Sequence, residues 1–246
     1  LDAILMGHEI QHRFAAFFDQ ALDLRDNGGH WSMLQSPSTG FGSGNVFPHI
    51  EQLSDSLYEA WYLANERTVS DSLRNAWFPT GRVNAPFYNE LELYLMGLIN
   101  SEEVDEPIRT LINPKFLESN FSEVANLGLS FHRYSADGVR DLSMSEIITT
   151  EGVRSPGPDQ SQKDFKMNLI VAYDRKLTPV EMAYFDYAMR EYEKPTSALS
   201  ALDYGLTFQE ATGNRATITT RVSDAATSIA DERKTMLPVS FKVLQN

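Results

Sequence analysis

The chain has 246 residues and a formal net charge of -13, and 42% of its residues are hydrophobic. This composition is typical of a globular protein, so one large domain with a substantial core is expected. The acidic balance without a Lys/Arg cluster argues against nucleic acid as a partner, and no run approaches the roughly 20 apolar residues of a membrane span. The absence of cysteine excludes disulfides and thiolate metal sites, leaving histidine and carboxylate as metal ligands.

The first predicted element is a helix over residues 1–24, which ends before the sequence Asn27-Gly28-Gly29. Apolar residues recur along it at steps of three and four, which predicts that one side packs on a core. These residues are Met6, Ile10, Phe14, Phe17, Ala21 and Leu24. His8 and His12 fall on the opposite side of the predicted helix, beside the small Ala15 and near Asp19.

The sequence His8-Glu9-Ile10-Gln11-His12 has the spacing of a metal-binding helix. Because residues four apart lie one above the other on a helix, His8 and His12 can bind one metal ion while Glu9 reaches a water molecule. Asp19 could then accept a hydrogen bond from a histidine N–H. The alternative is an ordinary amphipathic helix whose histidines face solvent. The spacing favours a zinc site.

Two more helices are predicted before residue 100. The first runs from His49 to about Trp77, on the spacing of Leu53, Leu57, Ala60, Trp61 and Ala64. The second is a short, Leu-rich helix within residues 87–98 that carries Glu90 and Glu92. Because such a helix should be buried, a carboxylate on it must be paired or bound to a metal.

The other predicted elements are mainly short strands, loops and capped helices. In chain order they are a strand at 30–34, a glycine-rich loop at 37–45, an irregular loop at 102–114, a hairpin of strands 129–134 and 139–142 around Asp137-Gly138, a helix from the Ser143–Glu146 capping box to Glu151, a strand at 165–173, a helix from the Thr178–Glu181 capping box to Glu193, and a hairpin at 206–222. The pattern weakens after that, so residues 1–222 are predicted to form the domain and 223–246 a tail or linker.

A catalytic zinc ion requires three protein ligands and an open position for water. His30 is one candidate for the third ligand, because the chain could fold back over the metal after the turn that ends the first helix. Glu92 is the other candidate, because a carboxylate on a buried helix needs a cation or another partner. If neither residue binds the metal, His30 is expected to stack on Trp31 and Glu92 to pair with an arginine. His49 and His132 are weaker alternatives. Tyr94, His132 and Tyr134 are candidate donors to an oxyanion or to substrate.

Through its H-E-x-x-H helix the chain resembles the zincin superfamily of metallopeptidases. It also resembles a group of bacterial secreted or surface proteins through three segments. These are His8 to Arg13, His30-Trp31-Ser32 and Leu91 to Leu98; two later segments, 162–165 and 211–215, are similar as well. The resemblance implies an α+β, zincin-like fold in which the metal helix is joined by a mainly helical subdomain and later β-hairpins.

The function that follows is zinc-dependent hydrolysis of peptide bonds in a peptide or protein substrate, with Glu9 as general base and Zn²⁺ as cofactor. The resemblance implies a secreted or cell-surface location. A rival interpretation is a catalytically silent module that keeps zinc as a structural staple or binds a partner in its cleft. Zincins usually place a sheet before the metal helix, whereas seven residues precede His8 here. We therefore expect an upstream domain or a processed chain to complete the fold.

Overall fold

The computed structural model describes residues 3–15, 49–63, 88–105, 108–120, 129–196 and 207–220. These residues form α-helices together with antiparallel sheets and one parallel strand pair, an α+β architecture. The predicted strand at 30–34, the glycine-rich loop and the tail from residue 223 lie outside the described residues. None of the helices in the described part of the chain is long and apolar enough to cross a membrane.

The first helix, α1, is described over Ala3–Ala15. Ile10 and Phe14 lie partly buried against the core, as the apolar spacing predicts, and the Phe14 ring meets the Phe165 ring edge-on at 5.9 Å. Among the α1 residues whose burial is described, Gly7 and Gln11 are buried, and Gln11 is 0% exposed. The buried part of the described helix surface therefore includes Gly7 and Gln11, which lie outside the predicted stripe.

Residues 49–63 form a β-hairpin, so the predicted helix from His49 is wrong there. Strand β1 (His49–Ser54) pairs antiparallel with β2 (Leu57–Leu63). Tyr58, Glu59 and Ala60 are all buried, at 3%, 6% and 0% exposure; Tyr58 and Ala60 lie on one face of the strand, and Glu59, which pairs with Arg133, lies on the other. The helical spacing of the apolar residues was misleading because the strand is stabilised by a partner far along the chain.

That partner is β5 (Leu129–Ser135), which pairs with β2 along its whole length. On its other side β5 pairs with β4 (Lys115–Asn120), giving a four-stranded antiparallel sheet in the order β1-β2-β5-β4. Arg133 on β5 forms ion pairs with Glu59 on β2 and Glu118 on β4. One arginine thus connects the three adjacent strands.

The strands predicted around Asp137-Gly138 exist, but they do not pair with each other as a hairpin. Strand β6 (Gly138–Leu142) pairs instead with β3 (Ile108–Ile112), which lies inside the segment predicted to be an irregular loop. The Asp137 N–H donates to the Ile112 carbonyl at 2.8 Å, so the Asp-Gly segment carries the chain from one sheet to another. Both errors arise because strand pairing here depends on distant residues.

The two helices predicted from capping boxes are confirmed. Helix α3 (Met144–Glu151) begins after Ser143, and α4 (Pro179–Tyr192) begins after Thr178 with proline in its first turn. In each, the cap hydroxyl accepts from the N–H of a glutamate three residues on, and that carboxylate accepts from the cap N–H. These contacts are local, so the sequence alone suffices to place them.

The predicted strand at 165–173 and hairpin at 206–222 are wrong in extent. Only Asp164–Lys166 forms a strand, β7, and it pairs in parallel with β8 (Thr217–Thr219). A short helix, α5 (Phe208–Ala211), replaces the first half of the hairpin, because Thr207 and Glu210 form a further capping box. The turn itself is present, with positive φ at Gly213 and Asn214.

The short helix α2 (Glu90–Leu95) lies at the centre of the fold, and all six of its residues are buried. It belongs to the main core, which also receives side chains from α4, α5, β7 and β8. Phe208 is fully buried there, with the rings of Phe165, Tyr192 and Tyr88 at 5.5, 6.2 and 6.5 Å. This core therefore receives residues from every described segment on which the resemblance to the bacterial proteins rests. These segments are 8–13, 91–98, 162–165 and 211–215. A second cluster of Tyr58, Ala60, Leu111, Tyr134 and Ala136 lies against the four-stranded sheet.

Candidate metal centre

Helix α1, which carries His8, Glu9 and His12, packs directly against α2, which carries Glu92. A buried hydrogen bond links α1 to the segment just before α2: the Tyr88 hydroxyl donates to the Gly7 carbonyl at 2.8 Å. Tyr88 is 1% exposed and lies just before α2, while Gly7 directly precedes His8. The chain thereby brings the main chain of the H-E-x-x-H segment next to a helix that bears a buried carboxylate.

The carboxylate of Glu92 is 1% exposed, in agreement with the prediction that its helix is buried. Its Oε2 atom accepts from the Asn89 N–H at 3.0 Å, while Asn89 Oδ1 accepts from the Glu92 N–H at 2.8 Å. This reciprocal pair caps the N-terminus of α2. The printed sequence contains the signal for it, Asn89-x-x-Glu92, which the sequence interpretation did not use.

Glu9 and His12 are both partly buried on α1, whereas the side chain of His8 lies outside the described part of the structure. Among the described side chains, no three His, Cys, Asp or Glu residues are grouped so that they could hold a metal ion. His30 and Asp19 also lie outside the described residues. Their predicted roles stay predictions.

Tyr94 lies on α2, two residues from Glu92, so the two side chains leave the helix in roughly opposite directions. Its hydroxyl accepts a hydrogen bond from the Arg154 N–H at 3.0 Å. The Arg154 side chain continues to the carbonyl oxygens of Leu95 and Met96 at the end of α2, at 3.0 and 3.3 Å. The described contacts of Tyr94 therefore fasten the loop after α3 to the end of α2.

His132 and Tyr134 lie on β5, in the four-stranded sheet. Tyr134 is 1% exposed and belongs to the second cluster, and the His132 ring lies 5.8 Å from Phe116 and 6.4 Å from Tyr134. Burial lowers the pKa of His132. His49 begins β1, with a side chain that is not described. None of the described contacts brings these three residues to α1 or α2.

Several polar groups that the sequence interpretation missed surround the contact between α1 and α2. Burial raises the pKa of Tyr88, and the nearby Tyr192 and Glu92 raise it further, so these three groups are close neighbours. Within the described part of the chain, the Tyr192 hydroxyl and both amide atoms of Gln11 are buried without a hydrogen-bond partner. Neither Tyr88 nor Tyr192 carries a sequence signal for such burial, because each is followed by two polar residues.

Comparison of the chain with models of protein families, with curated proteins and with solved structures finds no match. Imidazole and carboxylate groups on two packed helices are suited to bind a divalent metal, and a further glutamate beside the histidines is suited to accept a proton.

Proposed function

We propose that this chain is a zinc-dependent peptidase in which His8, His12 and Glu92 hold the metal and Glu9 is the general base. The observation that carries the proposal is the packing of α1 against α2, fixed by the hydrogen bond from Tyr88 to Gly7. Two imidazoles and one carboxylate are a ligand set that catalytic zinc sites use. Glu92 is preferred to His30 as the third ligand because its helix contacts the helix of the H-E-x-x-H motif.

The residues present fit a zinc ion in their chemistry. Glu92 is 1% exposed, and a carboxylate so deeply buried must be offset by hydrogen bonds, such as the one from the Asn89 N–H, or by a cation. Harder cations such as Mg²⁺ prefer sites made of oxygen ligands alone, whereas imidazole favours zinc and other transition metals. Because the chain has no cysteine, its zinc ligands must be histidine nitrogen and carboxylate oxygen atoms.

When bound, zinc would polarise the carbonyl of the peptide bond and lower the pKa of a water molecule toward neutrality. Glu9 follows His8 directly and is partly buried, so its carboxylate is sheltered but accessible to water. It accepts the proton of the attacking water and delivers it to the leaving amine as the C–N bond breaks. Peptides or proteins are therefore the proposed substrates, and the resemblance to secreted or surface proteins supports an extracellular location.

A second candidate is a module in which the same metal site has no catalytic role. The reciprocal cap between Asn89 and Glu92 favours it, because a carboxylate that fixes a helix end already has a structural task. In that case zinc would only stabilise the contact of α1 with α2. The two candidates differ in whether Glu9 matters for turnover.

Replacing Glu9 with glutamine separates them. The full chain is loaded with one equivalent of zinc and assayed on casein and on a set of fluorogenic peptides. Glu9→Gln is expected to keep its zinc and to lose activity by about 10²- to 10⁴-fold, because a positioned general base contributes that much. The matched control is Glu51→Gln, an exposed glutamate on β1. Equal activity in Glu9→Gln and the wild type would refute the peptidase proposal, and an inactive, zinc-binding wild type would favour the structural module.

A further inference from the structure

The contact between α1 and α2 depends on a residue outside both helices. Tyr88 donates its hydroxyl to the Gly7 carbonyl at 2.8 Å and its backbone N–H to the Ala211 carbonyl of α5 at 3.2 Å. Its ring packs on Phe208 at 6.5 Å. One buried residue thus holds α1 by its side chain and α5 by its main chain, and the Asn89–Glu92 cap of α2 follows it directly.

The Tyr88 hydroxyl binds the main chain of α1 immediately before His8. Its acceptor is the carbonyl of Gly7, and Asn89, the residue after Tyr88, caps α2 and exchanges hydrogen bonds with Glu92. A metal site tolerates little error in the separation of its ligands, so a hydrogen bond that sets the spacing of two ligand-bearing helices affects affinity.

We propose that Tyr88 is a positioning residue of the metal centre, and that its hydrogen bond to Gly7 sets the separation between the α1 histidines and Glu92. This inference rests on the proposed function. Tyr88 needs no contact with the metal or with substrate in this role. It acts through the main chain of α1, so its loss reduces zinc affinity without removing a ligand.

The structure supplies a matched control in Tyr192. Both tyrosines are buried, both contact the Phe208 ring, and both lie in the main core. Within the described residues the Tyr192 hydroxyl has no hydrogen-bond partner. Tyr88→Phe therefore removes the hydrogen bond to Gly7, whereas Tyr192→Phe removes a buried tyrosine hydroxyl that makes no hydrogen bond to the described residues.

Tyr88→Phe should fold. The ring stays in the core, and a carbonyl inside an α-helix still accepts from the N–H four residues on, so Gly7 is not left without a partner. Far-UV circular dichroism of the zinc-free protein checks this. Phe208→Leu serves as a second control, because it loosens the packing around both tyrosines while both hydroxyls remain.

The measurement is the zinc dissociation constant of the full chain, by competition with a chromophoric chelator, for the wild type and the three variants. Tyr88→Phe is expected to bind zinc about 10- to 100-fold more weakly, as is typical when a group that orients metal ligands is lost. Tyr192→Phe and Phe208→Leu should retain the wild-type affinity, even where Phe208→Leu lowers the melting temperature. The activity that remains in Tyr88→Phe at saturating zinc should show an unchanged KM.

Three outcomes overturn the inference in distinguishable ways. A folded Tyr88→Phe variant with wild-type zinc affinity refutes the positioning role and leaves the peptidase proposal intact. A wild-type chain that binds no zinc refutes both. A fall in affinity that is equal in Tyr88→Phe and Phe208→Leu also overturns the inference, because it assigns the effect to core packing.

Discussion

Gln11 is a fully buried polar residue of α1, and its replacement by methionine should stabilise the protein. Its side chain is 0% exposed, and within the described part of the chain neither the Oε1 nor the Nε2 atom has a hydrogen-bond partner. Methionine has a similar length, a similar helix propensity and no strong polar atom. The substitution therefore removes an unfavourable group and keeps the packing.

The magnitude follows from the cost of burying an amide without a partner, which is about 1–3 kcal/mol. Gln11→Met should raise the free energy of unfolding by about that amount, measured by urea denaturation of the zinc-free protein with an unchanged m-value. Gln160→Met is the control: Gln160 is exposed in a loop, and its substitution should change stability by less than about 0.5 kcal/mol. A loss of stability in Gln11→Met would refute the reasoning, since it would mean that the amide makes favourable hydrogen bonds.

Two other predictions concern the glycine that follows α2 and a carboxylate in the first turn of α4. Gly97→Ala should lower the free energy of unfolding by more than about 1 kcal/mol in urea denaturation. Gly97 has a φ of 72°, and an added Cβ would overlap Ser161 Oγ and lie 2.9 Å from Arg154 Cζ. The control, Gly157→Ala, has open space around the added Cβ and should cause no loss of stability. Arg175 and then Thr178 lower the pKa of Glu181 from 4.5 to about 2. Because the pKa is lower in the folded state, the ionised Glu181 stabilises the fold fully above pH 4.5, and this stabilisation is lost as the pH falls toward 2. The difference in unfolding free energy between the wild type and Glu181→Gln should therefore shrink over that range. A difference that stays constant would contradict the lowered pKa of Glu181.

The sequence predicted best those features that depend on neighbouring residues. The caps at Ser143 and Thr178 each need a hydroxyl and a glutamate three positions later, and both helices begin where these residues predict. The same signal at Thr207 and Asn89 would have placed α5 and α2 equally well. The burial of Glu92 also follows from its immediate neighbours, since its helix is so rich in leucine.

Strand pairing was not predictable in the same way. Residues 57–63 contain apolar positions at both helical and strand spacing, and the choice is made by seven residue pairs with 129–135. The segment at 108–112 becomes a strand because β6 pairs with it rather than with β5. At the candidate site, the H-E-x-x-H spacing is visible in the sequence, but the contribution of Tyr88 requires knowing that it meets Gly7.

The proposed metal centre requires that the histidines of α1 bind zinc. Zinc K-edge X-ray absorption of the full chain, loaded with one equivalent of zinc, tests it most directly. The expected spectrum shows zinc bound by nitrogen and oxygen atoms at about 2.0–2.1 Å, two of the ligands being imidazoles, and His8→Ala and His12→Ala should each lose one imidazole. Failure to retain zinc, or a spectrum unchanged by both substitutions, would contradict it.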